Sequence, residues 1–239
     1  MRSCAFGVGP VIASGLTAHI NLMPWKCRKT PKANPKCMDG APCEAGCCFR
    51  PVEYAGQVWS FAGLNPDRKW EAKTKRPWNA ELKVIAAYKL GESFVWTQTN
   101  PKDTYGHLFA ERKAREWEKN MDGGNAEAAA VKAESVGKAT NAYKWYSGQV
   151  SPEWARSILD SGKPWPQTIP KKALKKGIPM LPPAHIHARA RRWVSKLFLS
   201  HLFEVMYIAL HKREPEQPFV LTMDGHSKKI GVPGLEQWM

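Results

Sequence analysis

The longest periodic pattern in the chain lies towards its C-terminal end. Val194, Leu197, Phe198, His201, Leu202, Val205, Ile208 and Ala209 recur at helical spacing, and Pro215 ends the run. Residues 184–213 are therefore expected to form one long helix. Three shorter helices are expected between residues 105 and 162. "GHLFAERKAREWEKNM" alternates charges and stops at Gly123-Gly124, and "NAEAAAVKAESVGKATNAYKWYSG" is rich in alanine as far as Gly148. "SPEWARSILDSG" offers Ser151 as N-cap, Pro152 at the first helical position and Gly162 just past the end.

Outside these stretches the pattern reads as strand. "VEYAGQVWSFAGL" (52–64) alternates enough for a strand or hairpin. "ELKVIAAYKLGESFVWTQT" (81–99) suggests two strands around Gly91, with Val84, Ile85, Phe94, Val95 and Trp96 in the core. "PFVLTMDGHSKKIGV" (218–232) predicts a closing hairpin that turns at Asp224-Gly225. Residues 5–16 are apolar but broken by Gly7, Gly9, Pro10 and Gly15, which suggests a buried strand and turns. The expected class is α+β: a Cys-rich N-terminal module, a strand-rich first half, a helical middle, and a long C-terminal helix followed by a β-hairpin. Four segments follow from this: 1–104, the Cys-rich zinc-like module with antiparallel strands; 105–162, helical; 163–183, a basic linker; and 184–239, the long helix and hairpin. The linker "KPWPQTIPKKALKKGIPMLPP" holds six prolines and five lysines, which favours an extended surface arm.

Charge changes this picture from a fold to a partner. The 239 residues carry a formal net charge of +15, with a sequence pI near 9.6, so a polyanionic partner is expected, nucleic acid before membrane. Hydrophobic residues make up 43% and include eleven tryptophans, which excludes wholesale disorder. No run of 18 apolar residues is present, so no membrane-spanning helix is expected. The first residues loosely mimic a secretory signal but lack a small-x-small cleavage site, and the expected location is cytoplasmic. Basic residues cluster in three places beyond the cysteines. Arg68, Lys69, Lys73, Lys75 and Arg76 alternate with Trp70 and Trp78, a mixture that can pair phosphates with ring stacking on bases. Lys171, Lys172, Lys175 and Lys176 lie in the linker, and Arg189, Arg191 and Arg192, followed by Lys196, lie in the first turns of the long helix.

Five of six cysteines fall in "WKCRKTPKANPKCMDGAPCEAGCCF" (25–49), spaced Cys27-x9-Cys37-x5-Cys43-x3-Cys47-Cys48, with Cys4 and His19 upstream. Thiolates bind zinc because a borderline-soft dication gains from four S or N donors in a tetrahedral shell. Loops rich in Pro and Gly can wrap such an ion, and Lys26, Arg28 and Lys29 would lower the thiol pKa values and face a polyanion. Cys27, Cys37, Cys43 and Cys47 are the expected ligands, with Cys48 competing for the last place. The spacing contains no CxxC pair, and disulfides or an iron–sulfur cluster are the rival chemistries. A CX9C helical hairpin is excluded by Pro31, Pro35, Gly40, Pro42 and Gly46.

Catalytic signatures are sparse. His185-Ile186-His187 matches the His-hydrophobic-His pattern of rolling-circle and transposition nucleases, in which two histidines on one strand bind a metal and a later tyrosine attacks the phosphodiester. Tyr207 would have to be that nucleophile, but it lies on the same expected helix, about 30 Å away by helical rise. No Walker loop, nucleophile elbow or dinucleotide fingerprint appears, so the chain is read as a binding protein, not an enzyme.

The Cys-rich segment 27–48, the basic α+β remainder and the terminal "EPEQPFVLTMDGHSKKI" together resemble the zinc-finger-bearing, large-subunit-like protein of type IV CRISPR effector complexes. In that family a Pro-rich lead into an apolar, Phe-containing strand precedes a short basic turn, as residues 215–229 do here. The resemblance implies a non-catalytic subunit that contacts guide RNA, neighbouring protein subunits and the duplex DNA beside a target. Two other readings fit part of the pattern: a metal-dependent nuclease of a mobile element, and a structural subunit of a ribosome-like or organellar assembly.

Overall fold

The computed structural model describes residues 7–20, 26–27, 48–49, 52–216 and 229–235. The architecture is helical, with about 60% of the described residues in helix, which corrects the expected α+β class. The described strands are a two-residue antiparallel pair, β1 (Lys26–Cys27) and β2 (Cys48–Phe49), with Lys26 opposite Phe49 and Cys27 opposite Cys48. The expected strands elsewhere in the first half are helices. Residues 10–19 form α1 (Pro10–His19), with Pro10 in the first turn, where its missing N–H costs nothing. The stretch 52–64 contains α2 (Ala55–Phe61), with Ala55, Val58 and Ala62 buried along one face. The supposed strand pair around Gly91 is continuous helix: α3 (Ala80–Lys83), a π-helical turn (Val84–Leu90) and α4 (Gly91–Thr97). Leu82, Ala86, Leu90 and Phe94 are buried at intervals of four, which is a helical period and not an alternation of two. At the other end, Lys229, Ile230, Gly231 and Val232 make no strand, and the rest of the expected hairpin lies outside the described residues.

The remaining helices are α5 (Thr104–Met121), α6 (Ala126–Glu134), α7 (Asn141–Tyr146), α8 (Pro152–Ser161) and α9 (Pro183–His211). In α8 the Ser151 hydroxyl accepts from the Trp154 N–H, and Gly162 closes the helix at φ +64°. The alanine-rich stretch divides into α6 and α7 around Gly137. An 18-residue window of α9 has a mean hydropathy of 1.3, long and apolar enough by composition to cross a membrane. Its Val194, Phe198, Leu199, Phe203 and Ile208 are buried within the protein.

The chain divides into two compact units, Met1–His107 with Arg192–Met239, and Leu108–Arg191. In the first unit Phe94, Tyr105 and Phe198 form an aromatic nucleus with ring centroids 5.1–5.5 Å apart. There the indole N–H of Trp59 on α2 donates to the Lys196 carbonyl of α9 at 3.0 Å. Gly15 lets α1 approach the π-helical turn closely: a Cβ there would lie 2.7 Å from Ile85 Cδ1, and that side chain would have to turn aside. In the second unit Trp117, Trp145, Trp154 and Trp165 cluster, Trp117 stacking on Trp165 at 4.9 Å. Trp165, Ile169, Ala173 and Met180 come from the Pro-rich stretch 163–183, which is fixed along its length. Its backbone bonds run from Ser151 N–H to Ala173 O, Lys175 N–H to Gln149 O, Gly177 N–H to Gly148 O and Met180 N–H to Trp145 O.

Candidate nucleic-acid interface

The basic loop between α2 and α3 is built by its own polar residues. Asn65 Oδ1 accepts the Asp67 N–H at 3.0 Å, and the Thr74 hydroxyl donates to the Glu71 carbonyl at 2.7 Å. Lys73 takes a left-handed conformation at φ 68°. The Trp70 indole donates to Thr74 O at 2.9 Å, and the Arg68 guanidinium to Pro77 O at 3.1 Å. These bonds give the loop a definite shape and leave Arg68, Lys69, Lys73, Lys75 and Arg76 exposed on it.

Indoles then fix where individual cations stand. The Arg76 guanidinium lies 5.3 Å from the Trp70 ring centroid, Lys83 Nζ 4.0 Å from that of Trp78, and Lys196 Nζ 5.5 Å from that of Trp59. Each is within cation–π range. Trp78 is itself held against backbone, since a Cβ on Gly63 (φ +64°) would sit 2.8 Å from its Cγ. Lys83 has its ammonium pKa lowered by burial first, then by the positive charges of Arg76 and Arg192. Arg76 on the loop and Arg192 on α9 thus both repel Lys83 at the end of α3. Glu81, the acid in the first turn of α3, is directed to His19 Nε2 at 3.7 Å.

Lys83 was not among the residues expected from sequence, and Lys196 was read only as one of the basic residues in the first turns of the long helix. Helical spacing carried the signal for one of them: Lys196 lies four residues after Arg192 on α9, and so on the same face. Lys83, the last residue of α3, had no such cue, because its partners come from distant segments.

The other expected cations are distributed elsewhere. Lys171, Lys172, Lys175 and Lys176 are exposed on the second unit, at and after a 3-10 turn (Lys171–Ala173). Lys175 adds to the lowering of the exposed Glu153 carboxyl, whose main cause is its hydrogen bond with Ser151. Arg189 is half-buried, its Nε 3.1 Å from Glu116 Oε2 and its Nη1 donating to Asn125 Oδ1 at 3.2 Å. Arg191 is half-buried and Arg192 exposed. Arg28, Lys29, Cys37, Cys43 and Cys47 lie outside the described residues.

Of the expected zinc ligands, the backbone of Cys27 and Cys48 alone is among the described residues. Cys27 is paired with Cys48 in the register of β1 and β2, so the first and last cysteines of the segment lie on adjacent strands. Among the described residues no group of three or more His, Cys, Asp or Glu could hold a metal.

His185 and His187 stand on α9, where two residues turn the face by about 200°. His185 Nδ1 meets the Tyr146 hydroxyl at 3.1 Å, while His187 packs edge-on to Phe109 at 5.4 Å. Burial, then Lys113, lowers the pKa of His187. Tyr207 lies further along the same helix, beside Phe203 and His211. A strand presenting both histidines on one face is absent here, and with it the nuclease geometry.

Comparisons of the chain with protein-family models, with curated proteins and with solved structures return no match.

Proposed function

We propose that the protein is a non-catalytic, nucleic-acid-binding subunit of a ribonucleoprotein complex. The observation that supports this most is the braced loop that exposes Arg68, Lys69, Lys73, Lys75 and Arg76, next to α3, whose Lys83 Nζ stands 4.0 Å from the Trp78 ring centroid. Arg192, exposed on α9 and repelling Lys83, adds positive charge in the same unit. Such cations neutralise phosphates and release counterions, which gives salt-dependent affinity without a cofactor. The Cys27–Cys48 segment would bind one zinc ion and add Lys26, Arg28 and Lys29 to the binding surface. The resemblance to the large-subunit-like protein of type IV CRISPR effectors agrees with this reading, with guide RNA and target-flanking duplex DNA as ligands and other protein subunits as neighbours.

The test is to identify what accompanies the full chain when it is purified from cells carrying its own locus. A short RNA of uniform 5′ sequence is the expected result. Ribosomal RNA in its place would support a structural subunit of a ribosome-like assembly, and recovery without nucleic acid would refute the proposal.

A further inference from the structure

The loop 65–77 carries one large apolar residue, Trp70, among five cations and the carboxylates of Asp67 and Glu71. An indole in so polar a setting adds little to a core, yet its plane is held in place. Its N–H donates to Thr74 O at 2.9 Å, and the Arg76 guanidinium stands over the ring, 5.3 Å from its centroid. Thr74 in turn closes a four-residue turn on Glu71 O, through its N–H at 3.2 Å and its hydroxyl at 2.7 Å, with Lys73 at the third position at φ 68°. Arg68 Nη1 ties the base of the loop to Pro77 O at 3.1 Å.

We infer that Trp70 is a stacking platform for an unpaired base, with Arg76 backing one face of the ring and the base covering the other. This rests on the nucleic-acid reading above and names the ligand class as single-stranded DNA or RNA, because a duplex keeps the faces of its bases covered. Trp70 is 42% exposed with Arg76 in place, so ring surface is open to a ligand. Fixing the ring in the free protein removes part of the ordering that binding would otherwise cost. Every base has a π face, so the platform accepts any of them. Arg68, Lys69, Lys73 and Lys75 are exposed on the same loop and supply counter-charge to the phosphates that flank the stacked base. Two other indoles of this unit lack part of the arrangement. Trp78 is half-buried, with Gly63 against its ring and Lys83 Nζ over it. Trp96 is 83% exposed, but its neighbours one turn back on α4 are Glu92 and Ser93, which bring no positive charge.

The experiment uses the full chain and fluorescence anisotropy with two labelled probes of about 16 nucleotides, oligo-dT and an abasic strand. The wild-type chain is expected to bind the abasic strand more weakly by about fivefold or more, the least that one lost stacked base removes. A smaller difference would overturn the inference while leaving the nucleic-acid reading in place, and this comparison stands whether or not a variant folds. Trp70→Leu keeps apolar bulk without a π face, and is expected to bind the two strands within about twofold of each other. Trp96→Leu is expected to keep the wild-type preference. A larger residual preference in Trp70→Leu, or a preference lost in Trp96→Leu, would place the stacking elsewhere and overturn the inference. Lys73→Gln/Lys75→Gln is expected to keep the preference and to flatten the salt slope for oligo-dT by about 1.4, at about 0.7 per phosphate of a single strand. An unchanged slope would overturn the assignment of these two lysines to phosphates. Failure of the wild-type chain to bind either strand would overturn the nucleic-acid reading itself, and binding to phosphatidylserine vesicles in their place would make the loop a membrane contact.

Discussion

Glu116 on α5 offers a test of how the second unit is held. Its side chain is 3% exposed and lies between two guanidinium groups, with Oε1 2.5 Å from Arg112 Nη2 and Oε2 3.1 Å from Arg189 Nε. At such distances each pair carries about 5 kcal/mol of Coulomb attraction in a medium of effective dielectric about 20, before desolvation is subtracted. Removing one partner of a buried pair costs about 3–5 kcal/mol, because a charge is left without compensation. Here the arginine side chains are 36% and 31% exposed and can recover water, which places Glu116→Ala at the low end, about 3 kcal/mol. Urea denaturation followed by tryptophan fluorescence measures the loss, with four indoles of that unit as reporters. The pair Arg115–Glu111 on the same helix is exposed at both ends, so Glu111→Gln is expected to cost no more than about 0.5 kcal/mol. A loss below about 1 kcal/mol for Glu116→Ala would show that the buried carboxylate is no better than a surface one, and would refute the argument.

Three further outcomes follow from particular contacts. Gly63→Ala places a Cβ 2.8 Å from Trp78 Cγ and 3.0 Å from Lys83 Cδ in a left-handed conformation, so a loss of about 2–4 kcal/mol and weaker nucleic-acid binding are expected from melting and anisotropy; native-like values of both would contradict the packing. His201 donates from Nε2 to Ile230 O at 2.9 Å, which leaves Nδ1 to accept from the Tyr105 hydroxyl at 2.8 Å. Burial chiefly lowers its pKa, Lys229 adds to this, and the Ile230 bond and Glu204 oppose it. The folded state therefore favours neutral His201, and the stability it contributes is present above about pH 6.5 and lost as pH falls below that value. His201→Gln should flatten the decline in stability between about pH 7 and pH 5, and an unchanged decline would rule out this group as a cause. Elemental analysis of the purified chain is expected to find one zinc, removed by chelation; two or more disulfides without zinc would contradict the thiolate site.

What the sequence disclosed depended on whether the signal was local. Ser151, Pro152 and Gly162 marked the ends of α8 because capping chemistry acts within one helical turn. The α3–α4 stretch was misread for a physical reason. Its buried face repeats Leu82, Ala86, Leu90 and Phe94, but its exposed positions are also apolar, with Val84, Tyr88 and Trp96 outside and Trp96 83% exposed. Apolar residues on both sides erase the amphipathic period, and β-branched and aromatic content then resembles a strand. At the candidate site the charge run 68–76 was visible in sequence, because composition alone reveals it. The membership of Lys83 was not, since only tertiary packing sets it over Trp78, where Arg76 and Arg192 repel it.

The most direct test of the central claim is the salt dependence of binding between the full wild-type chain and a labelled duplex. If the exposed cations bind phosphates, the logarithm of the association constant will fall linearly with the logarithm of salt concentration, with a slope of about −2.7 or steeper for at least three contacts. Absence of binding, or an affinity indifferent to salt over the same range, would contradict the account.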